Sequence, residues 1–210
     1  MTLEDFFTKE NQKLTKQKDF LESDILFLDS EMKEQGISED RIEELIKANC
    51  LHLITKGIYG KSGEFIDEFL IRQNILSKGI YSFETALYLH DLTDKFPYKV
   101  FMSFPAGYRL PQGAGQWGEN VVIKNMKENT SDIGIVELSI SNSKKTIKVY
   151  SKERTLCDIV ARKNTVEQEV INHAYRTYLQ ADDSSVNRLL RMAKKVNTEK
   201  QVRQIVEVLL

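Results

Sequence analysis

The chain predicts an α/β (α+β) protein in two parts: a small helical head that ends in a hairpin, and a larger body with a small β-sheet framed by helices. Three observations predict this. A short, well-capped helix runs at once into two very short strand segments; four segments rich in Val, Ile, Phe and Tyr lie between residues 99 and 150; and from residue 151 onward the apolar spacing is helical. With 210 residues, 41% hydrophobic and 29% charged, the chain has the apolar content of a globular protein and the length for two unequal domains.

Residues 3–33 read as helical, because Leu3, Phe6 and Phe7, then Phe20, Leu21, Ile25, Leu28 and Met32 recur near helical spacing; a break is expected around residues 19–24, with Ser23 able to cap the second helical segment. The next helix has clearer ends. Gly36 stops its predecessor, Ser38 is a good N-cap, and Glu39 and Asp40 suit the positive first turn. Ile37 and Ile42 occupy the positions of a hydrophobic staple, and Ile42, Leu45, Ile46 and Asn49 continue one face to about Ala48. Residues 52–54 and 57–59 then flank Thr55 and Lys56 as two short strands around a tight turn. Helix, turn, helix and small hairpin is the order of a winged helix-turn-helix, which sets a first domain of residues 1–62 and a boundary in the polar, Gly63-containing stretch after it.

In the second domain, residues 63–210, helices are expected over 65–76 and 82–92 with a stop at Lys78-Gly79 between them. Strands are expected over 99–104, 120–124, 133–140 and 146–150, and a flexible surface loop over 109–118. Helices are expected over 152–162, 166–180, 185–196 and 198–209, capped by Ser151, by Asp183 or Ser184, and by Asn197.

No stretch approaches the roughly 18–20 apolar residues that span a bilayer, and residues 1–11 are mixed in charge rather than basic and then apolar, so the expectation is a cytoplasmic protein with no membrane partner. Cys50 and Cys157 stand alone, without a CxxC pair or a histidine at ligand spacing, and are expected as reduced, packed thiols. The formal net charge of -1 hides an asymmetry: residues 1–61 hold nine Lys/Arg against thirteen Asp/Glu, and residues 152–210 hold eleven against eight.

A winged helix implies DNA binding, with the helix over 38–48 in the major groove and the hairpin tip at a phosphate. Arg41 and Lys47 are the expected contacts on the helix, Lys56 and Lys61 on the wing, and Ser38 at the helix N-terminus. Against this, Glu39, Asp40, Glu43 and Glu44 outnumber the cations on that helix and oppose phosphate binding, so docking of a protein stands beside DNA as a reading.

On the body, Arg154, Arg162 and Lys163 are candidates to join Arg188, Arg191, Lys194 and Lys195 in a basic surface for nucleic acid or an acidic partner. Asp158 is expected in a solvated helical ion pair, N-terminal to Arg162. His52, His90 and His173 form no metal signature, and His90 is expected as a packed imidazole. The glycines at 113, 115 and 118 lack the lysine of a phosphate-binding loop, and no nucleophile motif occurs; no catalytic residue, metal or cofactor is assigned.

Three segments together resemble the AbiEi-type antitoxins of bacterial abortive-infection, type IV toxin-antitoxin systems. They are the head from Gln35-Gly36-Ile37-Ser38 to Lys56-Gly57-Ile58-Tyr59-Gly60, the helix Ser82-Phe83-Glu84-Thr85-Ala86-Leu87-Tyr88-Leu89-His90-Asp91-Leu92, and the strand-to-helix segment Ser151-Lys152-Glu153-Arg154-Thr155-Leu156-Cys157-Asp158. They span residues 36–162 in order, and the last is the most specific. The acidic recognition helix and the long helical stretch before Gly36 depart from the family pattern. The resemblance implies a non-enzymatic, bifunctional protein whose head represses its own promoter at inverted repeats while the body supplies antitoxin activity. Its functional partner would be an AbiEii-like nucleotidyltransferase toxin, counteracted without a stable complex. Phage defence is the implied role, and a monomer in solution the expected state.

Overall fold

The computed structural model describes residues 3–126, 129–140, 142–161 and 166–209, with side chains from Asn11 onward. The described residues form a mixed α+β structure with two small sheets. It divides into two compact units, one running to Ile71 and taking in Ser139–Thr146, the other holding Arg72–Leu138 and Ile147–Leu210. The first unit therefore reaches beyond residue 62 and is discontinuous in sequence, which a boundary drawn from local composition does not anticipate.

The first unit holds α1 (Leu3–Glu22), β1 (Leu26–Leu28), α2 (Asp29–Glu34), α3 (Glu39–Lys47), β2 (Leu51–Thr55) and β3 (Ile58–Lys61). The helical stretch expected to Lys33 is thus interrupted by a strand. Its spacing suits a helix, but Leu26, Phe27 and Leu28 pair antiparallel with Gly60, Tyr59 and Ile58, giving a sheet of order β1-β3-β2. Such tertiary pairing overrides a three-residue local preference. The Glu31 carboxylate accepts from Leu28 N–H at 3.1 Å and opens α2. Gly36, at φ +70°, lets the chain reverse into α3, and the buried Gln17 amide of α1 donates to the Gly36 carbonyl at 2.9 Å, fixing that turn. Phe27, Met32, Ile37, Ile42 and Leu51 form the core of the unit.

In α3, the Ser38 hydroxyl accepts from Arg41 N–H at 3.3 Å as the expected N-cap, and the helix ends at Ala48. The β2–β3 hairpin closes at Lys56 and Gly57, where Gly57 takes φ +78°, and a bulge falls between Leu53 and Thr55. Cys50, expected to be packed, is exposed, and Cys157 alone is buried.

The division between the units falls within α4 (Glu68–Ile75). The second unit continues with β4 (Ile80–Tyr81), α5 (Phe83–Leu89), β5 (Val100–Phe104), α6 (Gln116–Glu119), β6 (Val121–Asn125), β7 (Ile135–Ser139) and β8 (Thr146–Tyr150), then α7 (Lys152–Ala161), α8 (Gln168–Gln180), α9 (Val186–Lys195) and α10 (Glu199–Leu209). The strand order is β6-β5-β4-β8-β7, with β4 antiparallel to β5 and parallel to β8, and β5 parallel to β6. The two-residue β4 at the centre has no local strand signal. Beside it, the buried Gln73 side chain donates to Gly79 O at 3.1 Å and accepts from Lys148 N–H at 2.9 Å, satisfying backbone that so short a strand leaves unpaired. Leu87, Leu156, Ile159, Ile171, Tyr175, Leu189 and Val202 are completely buried in one helical core.

Candidate functional site

On the first unit, α3 presents Arg41 and Lys47 to solvent, as expected for a contact surface, but each is answered by a carboxylate. Arg41 lies 2.6 Å from Glu44 and Lys47 3.6 Å from Glu43. These exposed helical pairs are worth little and open easily. Lys56 is exposed at the hairpin turn. Lys61, expected on the wing beside it, stands at the far end of β3 opposite Leu51, because the strand runs away from the turn. There it lines an apolar groove of about 480 Å³ with Leu14, Leu21, Leu45 and Cys50.

On the second unit, the strand-to-helix segment builds a buried charge cluster. The Ser151 hydroxyl accepts from Arg154 N–H at 3.2 Å and starts α7. Arg154, expected on a basic surface, is only 7% exposed. Its Nε donates to both oxygens of Asp158 at 3.0 Å, its Nη1 donates to the carbonyls of Thr130 at 2.6 Å and Ile133 at 2.7 Å, and its guanidinium lies 4.3 Å from the centre of the Tyr150 ring. A buried guanidinium persists where its charge is paired, and Asp158 with the two carbonyls pairs the charge and uses the Nε and Nη1 donors. Asp158 pairs with Arg154 in the interior rather than in a solvated pair; Arg162 and Lys163 lie outside the described residues.

The backbone around the cluster is built for it. Gly134 takes φ +82°, its carbonyl accepts from Ser151 N–H at 2.7 Å, and a Cβ there would stand 2.9 Å from Arg154 Cβ. Tyr150 OH donates to Ser131 O at 2.8 Å, and burial pushes its phenol up to about 12, against the pull of Arg154. The Tyr150 carbonyl accepts from Thr155 Oγ1 at 3.1 Å and from His90 Nε2 at 2.8 Å, which makes Nε2 the protonated ring nitrogen. Burial lowers the pKa of His90, the behaviour of a packed imidazole. Burial pushes the Cys157 thiol up to about 12, far from a reactive thiolate.

Arg154 and Asp158 form one wall of a polar cleft of about 310 Å³, which Lys124, Asn125, Phe83, Asn197, Thr198 and Gln201 also line. Lys124 lies over the rings of Phe101 and Phe83 at 5.2 and 5.6 Å. Phe83 holds φ +51°, a sterically costly backbone for a bulky residue. Sequence reasoning misses Lys124, because one lysine at the end of a Val-Val-Ile strand carries no signal of the cleft it enters.

The exposed face of α9 keeps part of the expected basic surface. Arg188 is 3.2 Å from Glu153 and donates to the Asp183 carbonyl. Arg191, Lys194 and Lys195 are exposed and pair with no carboxylate among the described residues. Among the described residues there is no group of three or more His, Cys, Asp or Glu placed to hold a metal, and no helix long and apolar enough to cross a membrane.

No protein-family model matches the chain, and no curated protein matches it. Among solved structures it is similar to the crystal structure of the RV2827C protein from Mycobacterium tuberculosis, with a TM-score of 0.46 and 15% identity, over 87% of this chain and 76% of that chain.

Proposed function

We propose that this chain is an antitoxin and DNA-binding autorepressor of a bacterial type IV toxin-antitoxin, abortive-infection system, acting without catalysis of its own. The observation that carries the DNA-binding half is the arrangement of the first unit, where α2, a glycine turn and the capped α3 lead directly into the β2–β3 hairpin, completed by β1. This supports a winged helix with α3 as the recognition helix and Lys56 at the wing tip. Arg41 and Lys47 contact DNA after leaving Glu44 and Glu43, an exchange of weak exposed pairs for phosphates.

The antitoxin half rests on the resemblance of the Ser151–Asp158 segment to AbiEi-type proteins, and on the buried cluster into which that segment folds. The functional partner is a nucleotidyltransferase toxin, counteracted without a stable complex; the setting is the cytoplasm and the role phage defence. The test is a gel-shift titration of the full chain against its own promoter, with inverted repeats, and against random DNA of equal length. Binding that prefers the promoter and weakens steeply with salt is expected; equal affinity, or no shift at low salt, overturns the repressor reading.

One observation favours a second reading, a winged-helix module that docks protein or RNA: four carboxylates of α3 face solvent, an unusual surface to bring against phosphates. In that case Arg41→Ala with Lys47→Ala leaves promoter DNA binding unchanged, while Arg188→Ala with Arg191→Ala abolishes it.

A further inference from the structure

We propose that the polar cleft of the second unit is a binding site for the phosphate group of a small metabolite. The cleft collects hydrogen-bond donors that lack partners. Lys124 makes neither an ion pair nor a hydrogen bond among the described residues; its ammonium stands over the rings of Phe83 and Phe101, and the residue lines the cavity. Arg154 spends Nε and Nη1 on Asp158 and two carbonyls, leaving Nη2 without a partner among the described residues.

The third donor is Thr198. It is 4% exposed, and its hydroxyl has no hydrogen-bond partner among the described residues. The Thr198 hydroxyl is close enough to the Cys157 thiol to hold its pKa down against the burial that raises it, yet the two do not reach hydrogen-bond geometry, and a thiol is a weak partner in any case. A buried hydroxyl without a partner is costly, and a ligand oxygen in the cleft would satisfy it.

Thr198 also stands at the start of α10, because its carbonyl accepts the first helical hydrogen bond, from Val202 N–H at 3.1 Å. Its hydroxyl makes no cap bond, and Asn197, Thr198 and Gln201 at the start of this eleven-residue helix line the same cleft as Lys124 and Arg154. Two cations, one carboxylate already committed to Arg154, a free hydroxyl and an uncapped helix start together favour an anion of tetrahedral, multi-acceptor type. At about 310 Å³ the cleft is at the small end of ligand pockets, with room for a phosphorylated metabolite and not for a polymer. The inference does not depend on DNA binding by the first unit.

The experiment is calorimetric titration of the full chain with inorganic phosphate and with AMP, repeated for Lys124→Met, Lys124→Arg, Thr198→Val and Arg191→Ala, each first checked for an unchanged thermal transition. Saturable binding at one site is expected, tighter for AMP if the cleft seats more than the phosphate. Lys124→Met and Thr198→Val should each weaken it about tenfold or more, while Lys124→Arg keeps most of the affinity. Arg191→Ala, on exposed α9, should leave it unchanged. Absence of binding by either probe at millimolar concentration overturns the proposal, as does loss of binding in Arg191→Ala equal to that in Lys124→Met, which would place the phosphate on the basic helix. Should Lys124→Met not fold, Thr198→Val, a near-isosteric change, decides alone.

Discussion

The Ser143 hydroxyl donates to Asp24 Oδ1 at 2.7 Å across 119 positions of sequence, and it does so in the interior of the first unit, where Asp24 is 7% exposed. The same oxygen accepts from Ile25 N–H at 2.7 Å, and Lys145 bridges Asp24 at 3.6 Å and Glu31 at 2.9 Å with only 18% of its side chain exposed. A buried carboxylate is tolerable because these donors replace its water. Asp24→Ala should therefore destabilise the unit by about 2–4 kcal/mol, Glu31 still holding Lys145. A fragment ending at Ile71 lacks Ser143 and Lys145 and should lose comparable stability. Urea denaturation of the variant, and a folding comparison of the fragment with the full chain, check both; a fragment as stable as the unit in the intact chain would refute the anchoring role.

Arg154 should tolerate no substitution, including lysine. One ammonium cannot reproduce a fork that engages Asp158 and two carbonyls, and it would leave them buried without donors. Arg154→Lys is expected to cost about 3 kcal/mol, against under about 0.5 kcal/mol for Arg191→Ala on the solvated face of α9. Equal shifts of the urea midpoint for the two variants would contradict the burial of Arg154.

The same residue marks the limit of what sequence shows. Helical spacing relates Arg154 to Asp158 and Asp158 to Arg162, yet it cannot say which side of the helix meets protein; that depends on the Thr130 and Ile133 carbonyls, which arrive from more than twenty residues upstream. Where the signal is local it reads well: Ser38 caps α3, Ala48 ends it, and the hairpin turns at Lys56-Gly57. Where long-range pairing decides, it does not. β1 looks helical until β3 pairs with it, β4 is too short to have a pattern, and nothing in the local sequence connects Asp24 with Ser143 and Lys145. Lys124 and Thr198 are invisible for the same reason, since a cleft is a property of neighbours from distant segments.

His90 gives a pH dependence with a definite sign. Burial lowers its pKa below the ordinary 6.5, and its Nε2–H is spent on the Tyr150 carbonyl, so the unfolded chain takes up a proton before the folded one does. The stability it contributes is complete above about pH 6.5 and is lost as pH falls through the depressed folded value. Glu84, raised by burial above 4.5, acts in the opposite sense, so the comparison must be internal. His90→Gln, which keeps a donor for Tyr150, should flatten the difference in melting temperature between pH 7.5 and 5.5, whatever it does to the absolute value. An unchanged difference would mean that His90 does not titrate in this window.

The acidic face of α3 can be turned into a test of its proposed role. If α3 meets DNA, Glu43 and Glu44 oppose phosphate directly and also hold Lys47 and Arg41 away from it. Glu43→Gln with Glu44→Gln should then tighten promoter binding at moderate salt by about tenfold, and should steepen its salt dependence as two more cations reach phosphates. Neither residue lies in the core, so the thermal transition should move little. If α3 instead docks a basic protein surface, the same double variant weakens that partner and leaves DNA unaffected. Fluorescence anisotropy with labelled promoter DNA across a salt series separates the two, because a carboxylate that faces phosphate and one that faces a cationic partner change affinity in opposite directions when neutralised.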